Sequence, residues 1–169
     1  MTILVRNAKK DDWDEIKYIY EAGISTGLAT FETKAPTTYE QWVIKAHPNC
    51  ILIAHDENKV LGWCKITPIS DRLAYAGVGE VSVYVHPIAQ GKGVGNFLLK
   101  NLITLSEEQG YWTLQASIFR ENNSSVYLHK KNGFREVGIR EKIGKLNGKW
   151  RDNVLLERRS NLVGLEENY

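Results

Sequence analysis

A glycine-rich segment at residues 90–95 has the composition of a loop that binds an anion. Its residues are Gln90, Gly91, Lys92, Gly93, Val94 and Gly95. Because it lies between a valine-rich run and an amphipathic run, its backbone amides are expected to point together at the start of a helix. Glycine leaves room for phosphate oxygens to approach these amides, and the helix N-terminus adds about half a positive charge.

The spacing within this segment excludes two common phosphate-binding loops. A Walker loop would need Gly-Lys-Ser/Thr, and the dinucleotide fingerprint would need glycine where the chain has Asn96. Taken alone, the segment also fits a flexible turn from a strand into a helix, so both interpretations stay open at this point.

The two cysteines and three of the four histidines of the chain have no metal-binding pattern. Cys50 and Cys64 lie in apolar, strand-like runs without metal-ligand spacing or a secretory context, which favours reduced core residues. His47, His55 and His86 lack partners at metal-like spacing and are predicted to be surface or packing residues. We therefore predict no metal site.

Length, composition and charge exclude several classes of protein. The chain has 169 residues, 43% hydrophobic and 25% charged, which predicts one globular domain with a core of about 3–159 and a tail of 160–169. Lys and Arg number 22 against 20 Asp and Glu, a balance that does not favour a nucleic-acid partner. No apolar run reaches the ~20 residues of a membrane span, and no signal-peptide core follows Met1, so we expect a cytoplasmic protein with no membrane partner.

The first part of the chain is predicted to form a strand and a helix. Residues 3–6 read as a short strand. Asp12 and Glu15 have the spacing of a capping box at the start of a helix, and Gly23 is expected to end or kink that helix.

A second helix and a hairpin follow. Thr38 with Gln41 has the pattern of a helix start, and Pro48 that of its stop. Two β-rich runs, 50–55 and 60–67, are separated by Asp-Glu-Asn-Lys, which is typical of an antiparallel hairpin.

Residues 69–77 are predicted to form a loop, after which residues 80–85 alternate as a strand. One face of this strand carries valines and the other carries chemically different side chains: Val81, Val83 and Val85 against Glu80, Ser82 and Tyr84.

The rest of the chain predicts a helix, a strand, a helix and a strand pair. The first helix follows the glycine-rich segment and is capped at Gly110, because its apolar residues recur with a 3.6-residue period. These apolar residues are Val94, Phe97, Leu98, Leu102 and Leu105. The later elements are a strand at 112–119, a helix at 122–131 and strands at 134–143 and 150–158, the last two joined by Asn147-Gly148. This order predicts an α/β domain with a mixed, mostly antiparallel sheet.

Two motifs resemble those of the GCN5-related N-acetyltransferases, the GNAT superfamily. The acetyl-CoA signature of this superfamily is Gln/Arg-x-x-Gly-x-Gly/Ala, and it cradles the pyrophosphate. Residues 83–87 (Val-Tyr-Val-His-Pro) followed by residues 90–95 are similar to it. The second element of the family is Asn-x-x-Ala/Ser-x-x-Leu-Tyr-x-x-x-Gly-Phe. It is matched by Asn122, Ser125, Leu128, Gly133 and Phe134, with His129 in place of the tyrosine.

Within the superfamily, the chain resembles the phosphinothricin and methionine sulfoximine acetyltransferases, which also carry histidine at that position. Other segments that are similar to this subgroup are residues 29–32, Arg72 with Tyr75, Glu80 and residues 147–152. The resemblance covers nearly the whole chain, from Arg6 to about Glu157. It implies a twisted sheet of about seven strands flanked by about four helices, in which a splayed central strand pair forms the acetyl-CoA cleft.

The resemblance implies that acetyl-CoA, as co-substrate, is bound largely by backbone groups. It assigns the Val83 amide to the thioester oxygen, the Val85 amide to the pantetheine arm and residues 90–95 to the pyrophosphate, where the lysine adds charge. Asn122 and Ser125 are implied as further contacts to the cofactor, although Asn122 also suits a helix N-cap.

Two side chains are candidates for acid–base chemistry, since acetyl transfer needs a neutral amine and a protonated leaving thiolate. The resemblance assigns Glu80 to removal of the amine proton, directly or through water. His129 stands where relatives place a tyrosine that donates a proton to the CoA sulfur, so it is expected to act as general acid or as hydrogen-bond donor. The alternatives are a solvated strand glutamate and a histidine that packs or helps to bind CoA.

Arg72 is the candidate for binding a carboxylate of the acceptor, because a guanidinium fork matches two carboxylate oxygens. The resemblance adds a hydroxyl contact from Tyr75 and a pocket wall from Phe31 and its neighbour Glu32. The alternative for Arg72 is an exposed, solvated side chain.

The leading hypothesis is therefore N-acetylation of a small amino-acid-like acceptor, such as phosphinothricin, methionine sulfoximine or methionine sulfone, by direct attack in a ternary complex, for detoxification or resistance. Arg72 and Tyr75 favour this hypothesis over acetylation of a protein or peptide. Glu80 and His129 together favour it over a non-catalytic acyl-CoA-binding module. Because the subgroup's relatives are homodimers, we also expect a homodimer.

Overall fold

Seven strands and four α-helices make up the regular structure of residues 2–57 and 59–167, the parts of the chain that the computed structural model describes. The strands are β1 Leu4–Asn7, β2 Ile51–His55, β3 Val60–Pro68, β4 Val78–Val85, β5 Thr113–Phe119, β6 Arg135–Leu146 and β7 Lys149–Arg159. The α-helices are α1 Trp13–Ser25, α2 Tyr39–Val43, α3 Val94–Glu108 and α4 Asn123–Lys131. Met1, Asn58, Asn168 and Tyr169 lie outside the described residues, as do the predictions for the chain start, part of the 56–59 turn and the end of the tail.

The strands form one sheet in the order β1-β2-β3-β4-β5-β7-β6. Each neighbouring pair is antiparallel except β4 and β5, which run parallel. The predicted mixed, mostly antiparallel sheet with four flanking helices is therefore confirmed.

The sheet opens between its two parallel strands. The pairing of β4 with β5 ends at Glu80 and Gln115, yet β4 continues to Val85 and β5 to Phe119. The far halves of these strands have no registered pair with each other within the described residues. This gap is the splayed strand pair that the family resemblance implied.

Two apolar clusters pack around the sheet. The larger joins α3 to β2, β3, β4 and β5 and includes Cys50 and Cys64, which are buried and free, as predicted. The smaller joins α1 and α2 to the sheet around Trp63. β4 divides between them as its alternation predicted: its valines pack against the larger cluster and Tyr84 against the smaller.

The predicted capping box at the first helix is wrong. The Asp12 carboxylate accepts from the Arg6 guanidinium at 2.8 Å and from the Lys9 amide at 2.7 Å instead of capping α1. The Glu15 carboxylate accepts from the Val60 amide at 2.7 Å. Both carboxylates thus accept hydrogen bonds from residues outside α1. The spacing of residues along a helix does not reveal such partners.

Gly23 does not end α1, which continues to Ser25, and a kink at Gly23 stays a prediction. A Cβ at Gly23 would lie 2.6 Å from the Tyr84 ring, so glycine is needed here for the close approach of helix and sheet. Phe97, one of the apolar residues in the predicted helical period, lies on α3 but its side chain is exposed.

The other predicted helix and turn signals have mixed outcomes. Thr38 caps α2 by accepting from the Gln41 amide at 3.2 Å, as predicted, but the helix ends at Val43, well before Pro48. Gly110 follows α3 with a φ of 84° and is confirmed as its C-terminal glycine. The Asn147-Gly148 turn is likewise confirmed, with φ angles of 49° and 77°.

Candidate active site

The glycine-rich segment leads into the N-terminus of α3. Gly91 and Gly93 have φ angles of 74° and 82°, in the left-handed region that favours glycine, and Gly93 is the N-cap without a side-chain cap. The amides of Gly91, Gly93, Val94 and Gly95 have no acceptor within the part of the chain that the structure describes. A Cβ at Gly91 or Gly93 would meet no atom within 4 Å, so the space above these amides is open. The segment fits an anionic diphosphate.

Gly95 has a packing role in the same segment. A Cβ there would lie 3.3 Å from Leu128 of α4 and 3.4 Å from Val85 of β4. Gly95 thus brings the segment close to the end of β4, whereas Gln90 and Lys92 are exposed at its surface.

The second half of β4 has a free backbone edge. The backbone N–H and C=O of Ile66 in β3 form their hydrogen bonds on the side away from β4. Val81 of β4 lies directly opposite Ile66, so its own N–H and C=O point away from β3. Alternate residues share this orientation, so Val83 and Val85 direct theirs into the gap beyond Glu80. The two amides that were predicted to bind acetyl-CoA are therefore exposed to the gap.

A cavity of about 430 Å³ lies at this gap. Its walls come from β3, β4, β5, α1, α4, Asn153 of β7 and the segment that follows α1. The predicted site residues in these walls are Phe31, Glu32, Glu80, Val83, Asn122, Ser125 and His129. The gap thus brings most of the predicted catalytic and acceptor residues together.

Glu80 stands at the last paired position before β4 and β5 separate. Its Oε2 accepts from the Gln115 side-chain amide at 2.9 Å. This bond fixes the carboxylate at the fork of the two strands, where it faces the cavity. The arrangement suits a group that takes a proton from a bound amine.

His129 is buried in the wall that α4 contributes. Its Nδ1 lies 2.7 Å from the Ser125 carbonyl oxygen, and its ring packs edge-on against Phe134. Burial lowers the pKa of His129, and the bond to Ser125 only partly opposes this, so the imidazole is neutral at neutral pH. A carbonyl can only accept, so Nδ1 carries the proton and Nε2 has a free lone pair. In this state Nε2 can receive a proton but cannot donate one.

Asn122 has a structural role at the cavity. Its Oδ1 accepts from the Ser125 amide at 3.3 Å and so caps α4, and its Nδ2 donates to the Leu28 carbonyl at 3.1 Å. The N-cap interpretation is confirmed, and the contact to pantetheine stays a prediction.

Phe31 closes one side of the cavity. Its ring stands edge-on to Phe119, with centroids 4.7 Å apart. A Cβ at Gly144 of β6 would lie 2.9 Å from the same ring, so the last hairpin packs directly behind this wall.

Arg72 and Tyr75 do not line the cavity. Both side chains are exposed on the loop between β3 and β4, and the guanidinium stands 5.4 Å from the centre of the tyrosine ring. Their assignment to the acceptor stays a prediction that the geometry does not support.

Asn153 and Lys65 are among the cavity residues that were missed from the sequence. Asn153 is buried and its Oδ1 has no partner among residues 2–57 and 59–167. Lys65 of β3 also lines the cavity, and its Nζ donates to the Trp42 carbonyl at 2.7 Å. The signal for Lys65 was a single lysine within the apolar run of residues 60–66. Asn153 had no such signal, because polar residues are common throughout β7.

The described residues contain neither a candidate metal site nor a candidate membrane span. No group of three or more His, Cys, Asp or Glu side chains in residues 2–57 and 59–167 could hold a metal ion. No helix there has the length and apolar character to cross a membrane.

Comparison with known proteins agrees with the geometry of the cleft. The model of the acetyltransferase (GNAT) family matches residues 13–134. A phosphinothricin N-acetyltransferase of Alcaligenes faecalis is 34% identical over 164 residues, covering 91% of this chain and 81% of that protein. An L-methionine sulfoximine/L-methionine sulfone acetyltransferase of Pseudomonas aeruginosa is 32% identical over 164 residues, covering 93% of this chain and 94% of that protein.

A solved structure is similar over the entire chain. The GNAT superfamily phosphinothricin acetyltransferase from Sinorhizobium meliloti, crystallised in complex with AcCoA, has a TM-score of 0.88 and 28% identity, covering 100% of this chain and 94% of that one. This chain therefore belongs to the acetyltransferase (GNAT) family, and its relatives over nearly its whole length include phosphinothricin and methionine sulfoximine acetyltransferases.

Proposed function

We propose that this N-acetyltransferase transfers the acetyl group of acetyl-CoA to the primary amine of a small amino-acid-like acceptor. The observation that carries the proposal is a cavity lined by Glu80 and His129 at the unpaired edge of β4. β4 also packs against Gly95 of the glycine-rich segment, and the free amides belong to that segment. Donor and acceptor sites therefore meet at one strand.

The chemistry begins with the acceptor amine, which is an ammonium ion at neutral pH. Glu80 takes one proton from it, directly or through water, and the neutral amine attacks the thioester carbonyl. The Val83 amide, directed into the gap, donates to the oxyanion that develops, a type of contact worth about a hundredfold or more in rate.

His129 handles the second proton transfer, while the proton taken by Glu80 is released to solvent. The tetrahedral intermediate carries a positive nitrogen, whose proton passes to Nε2 of the neutral imidazole. The carbon–sulfur bond then breaks, and the imidazolium returns that proton to the departing thiolate, giving CoA thiol and the N-acetyl product. The donor role predicted for His129 thus follows a step in which it first accepts a proton.

A small acceptor is favoured by the shape of the site. The cavity of about 430 Å³ is walled by Phe31 and the segment after α1, with the β6–β7 hairpin behind it. Relatives named for phosphinothricin and for methionine sulfoximine or sulfone support these compounds as acceptors. A role in detoxification of or resistance to such compounds follows from that chemistry.

The test is release of CoA thiol from acetyl-CoA by the purified chain with a panel of amino acids, followed by mass detection of the acetylated product. We expect turnover with phosphinothricin, methionine sulfoximine or methionine sulfone. Turnover with peptides alone would favour a peptide acetyltransferase. Calorimetric binding of CoA without turnover on any amine would favour a non-catalytic module.

A homodimer is part of the same proposal. The last hairpin exposes apolar side chains that a second copy would cover: Val137, Ile139, Ile143 and Trp150. Sedimentation equilibrium should give twice the chain mass of 19.2 kDa, and replacing Ile139 by Asp should lower it toward one chain. A monomer in the unaltered protein would contradict this part of the proposal.

A further inference from the structure

The cavity wall contains a buried amide that the proposed reaction does not use. Asn153 of β7 is only 8% exposed, and it lines the cavity. Its Oδ1 has no partner, and its Nδ2 forms no hydrogen bond with residues 2–57 and 59–167. Buried polar side chains in folded proteins almost always have a hydrogen-bond partner, so an amide without one points to a ligand that supplies it.

The wall around Asn153 is aromatic and offers the amide no polar partner. Asn153 is registered directly opposite Phe119 of β5, and residues paired in this way have neighbouring side chains on one face of the sheet. The Phe119 ring stands edge-on to Phe31, and both rings line the cavity. A hydrogen bond to Asn153 must therefore come from a molecule that enters the cavity.

The sheet register sets the position of Asn153 relative to Glu80. Glu80 is paired with Gln115 of β5, and Phe119, four residues further along β5, is paired with Asn153. Alternate residues of a strand share a face, so the Glu80 carboxylate and the Asn153 amide lie on the same face of the sheet. Four residues of a strand span about 13 Å. An acceptor whose nitrogen lies at Glu80 would therefore bring the far end of its side chain to Asn153.

The free Oδ1 requires a hydrogen-bond donor at that end of the acceptor, because a carbonyl oxygen can only accept. Among the acceptors of the proposed class, methionine sulfoximine carries an N–H on its sulfur. The oxygens of methionine sulfone and of the ionised phosphinate in phosphinothricin only accept. Sulfoximine is thus the group that satisfies Oδ1.

We propose that Asn153 binds the end of the acceptor's side chain, with Oδ1 accepting from an N–H group on a tetrahedral sulfur. The inference rests on the proposed function, since it needs an amino-acid acceptor with its nitrogen at Glu80. It makes Asn153 the residue that selects a sulfoximine over a sulfone.

The test compares L-methionine sulfoximine with L-methionine sulfone, which have nearly the same shape and differ in one =NH against one =O, in steady-state kinetics with acetyl-CoA. We expect the unaltered enzyme to prefer the sulfoximine about tenfold in kcat/KM, because the sulfone leaves Oδ1 without a donor. In Asn153→Leu this ratio should fall to about one, mainly through a higher KM for the sulfoximine. Asn161→Leu, the same change at an exposed asparagine after β7, is the matched control and should keep the ratio.

A second variant tests the same contact without a change of shape. Asn153→Asp keeps an oxygen that accepts from the N–H, so it should keep the preference for the sulfoximine. Its carboxylate should lower kcat/KM for phosphinothricin about tenfold or more, because the phosphinate is also negatively charged. Loss of the sulfoximine preference in Asn153→Asp would overturn the inference.

Other outcomes separate this inference from the proposed function. Equal use of sulfoximine and sulfone by the unaltered enzyme overturns the inference and leaves the proposed function intact. A preference that survives in Asn153→Leu, or an equal loss with both acceptors, also overturns it, since the amide would then only shape the wall. A higher KM for acetyl-CoA in Asn153→Leu overturns it as well, because the amide would then contact pantetheine. Failure with both acceptors in the unaltered enzyme contradicts both proposals.

Discussion

The two sides of the cleft are built from different kinds of group. On the proposed donor side, the groups available to a ligand are backbone amides, those of Gly91, Gly93, Val94 and Gly95 and those of Val83 and Val85. The proposed acceptor side is lined by side chains from separate strands and helices, among them Glu80, Lys65 and His129. We therefore expect the donor side to bind the same ligand in many sequences, and single substitutions on the acceptor side to change which amine is used.

The two sides also differ in how their charge is supplied. The donor side uses the partial charges of free amides at a helix N-terminus, to which exposed Lys92 adds a full charge. The acceptor side sets two carboxylates against one partly buried ammonium. Changes on the acceptor side should thus act on kcat and on acceptor KM, and changes on the donor side on the KM for acetyl-CoA.

The largest effect is expected for Glu80→Gln. The amide can still accept from Gln115, so the fold should persist, but the group can no longer take a proton. We expect kcat to fall about 10²- to 10⁴-fold, the usual contribution of a general base. Affinity for CoA by calorimetry should be unchanged.

The matched control for this change is Glu108→Gln, which alters the same side chain at an exposed position at the end of α3. It should leave kcat intact. Full turnover in the Glu80 variant would remove this carboxylate from the reaction.

The second effect tests the proton relay at His129. In His129→Asn, the side-chain amide can replace Nδ1 as donor to Ser125, but nothing replaces Nε2. We expect kcat to fall about 10²-fold with little change in the KM for acetyl-CoA. In His129→Gln, where an amide reaches toward the position of Nε2, kcat should stay equally low, since an amide does not take up a proton. Unchanged kcat in both variants would reduce His129 to a packing residue.

The pH dependence of stability gives a separate test of the same residue. Burial lowers the pKa of His129 from 6.5. Between pH 6.5 and the lowered pKa, the unfolded chain therefore binds a proton at His129 that the folded chain does not bind. The part of the stability that depends on neutral His129 is therefore present above pH 6.5 and is lost as the pH falls through the lowered pKa. Chemical unfolding between pH 7.5 and 5 should show a smaller loss in His129→Asn than in the unaltered protein, and equal losses would contradict a buried neutral imidazole.

The third effect belongs to the donor side. Gly93→Ala puts a side chain at a φ of 82° and into the space above the free amides. Gly148→Ala, with a φ of 77° in the last turn and open space around it, imposes the same backbone strain away from the cleft. Both should lose about 1–2 kcal/mol of stability, but only the Gly93 variant should raise the KM for acetyl-CoA, by about tenfold. Equal KM values in the two variants would mean that the segment does not bind the diphosphate.

The same contrast explains what could be predicted from the sequence. The donor side is a local motif, so residues 90–95 were found by their spacing, and the resemblance of short motifs to the family added the amides of Val83 and Val85. The acceptor side depends on register: Lys65 and Glu80 lie on the same face of neighbouring strands only because β3 pairs with β4 as it does. Arg72 was chosen for its guanidinium chemistry and lies outside the cavity, because the path of a loop is not encoded in a short pattern.

The smallest effect concerns Asn122, which joins the two sides. Asn122→Ala removes both the cap on Ser125 and the bond to Leu28, and should lower the free energy of unfolding by about 1–2 kcal/mol. Asn122→Asp keeps an oxygen for the cap but loses the donor to Leu28, so it should keep most of the stability while freeing the segment after α1. If that bond only shapes the acceptor wall, the Asp variant should raise the acceptor KM about two- to threefold, as expected for loss of one neutral hydrogen bond. A rise in the KM for acetyl-CoA instead would mean that the same amide also contacts pantetheine, and that Asn122 belongs to the donor side.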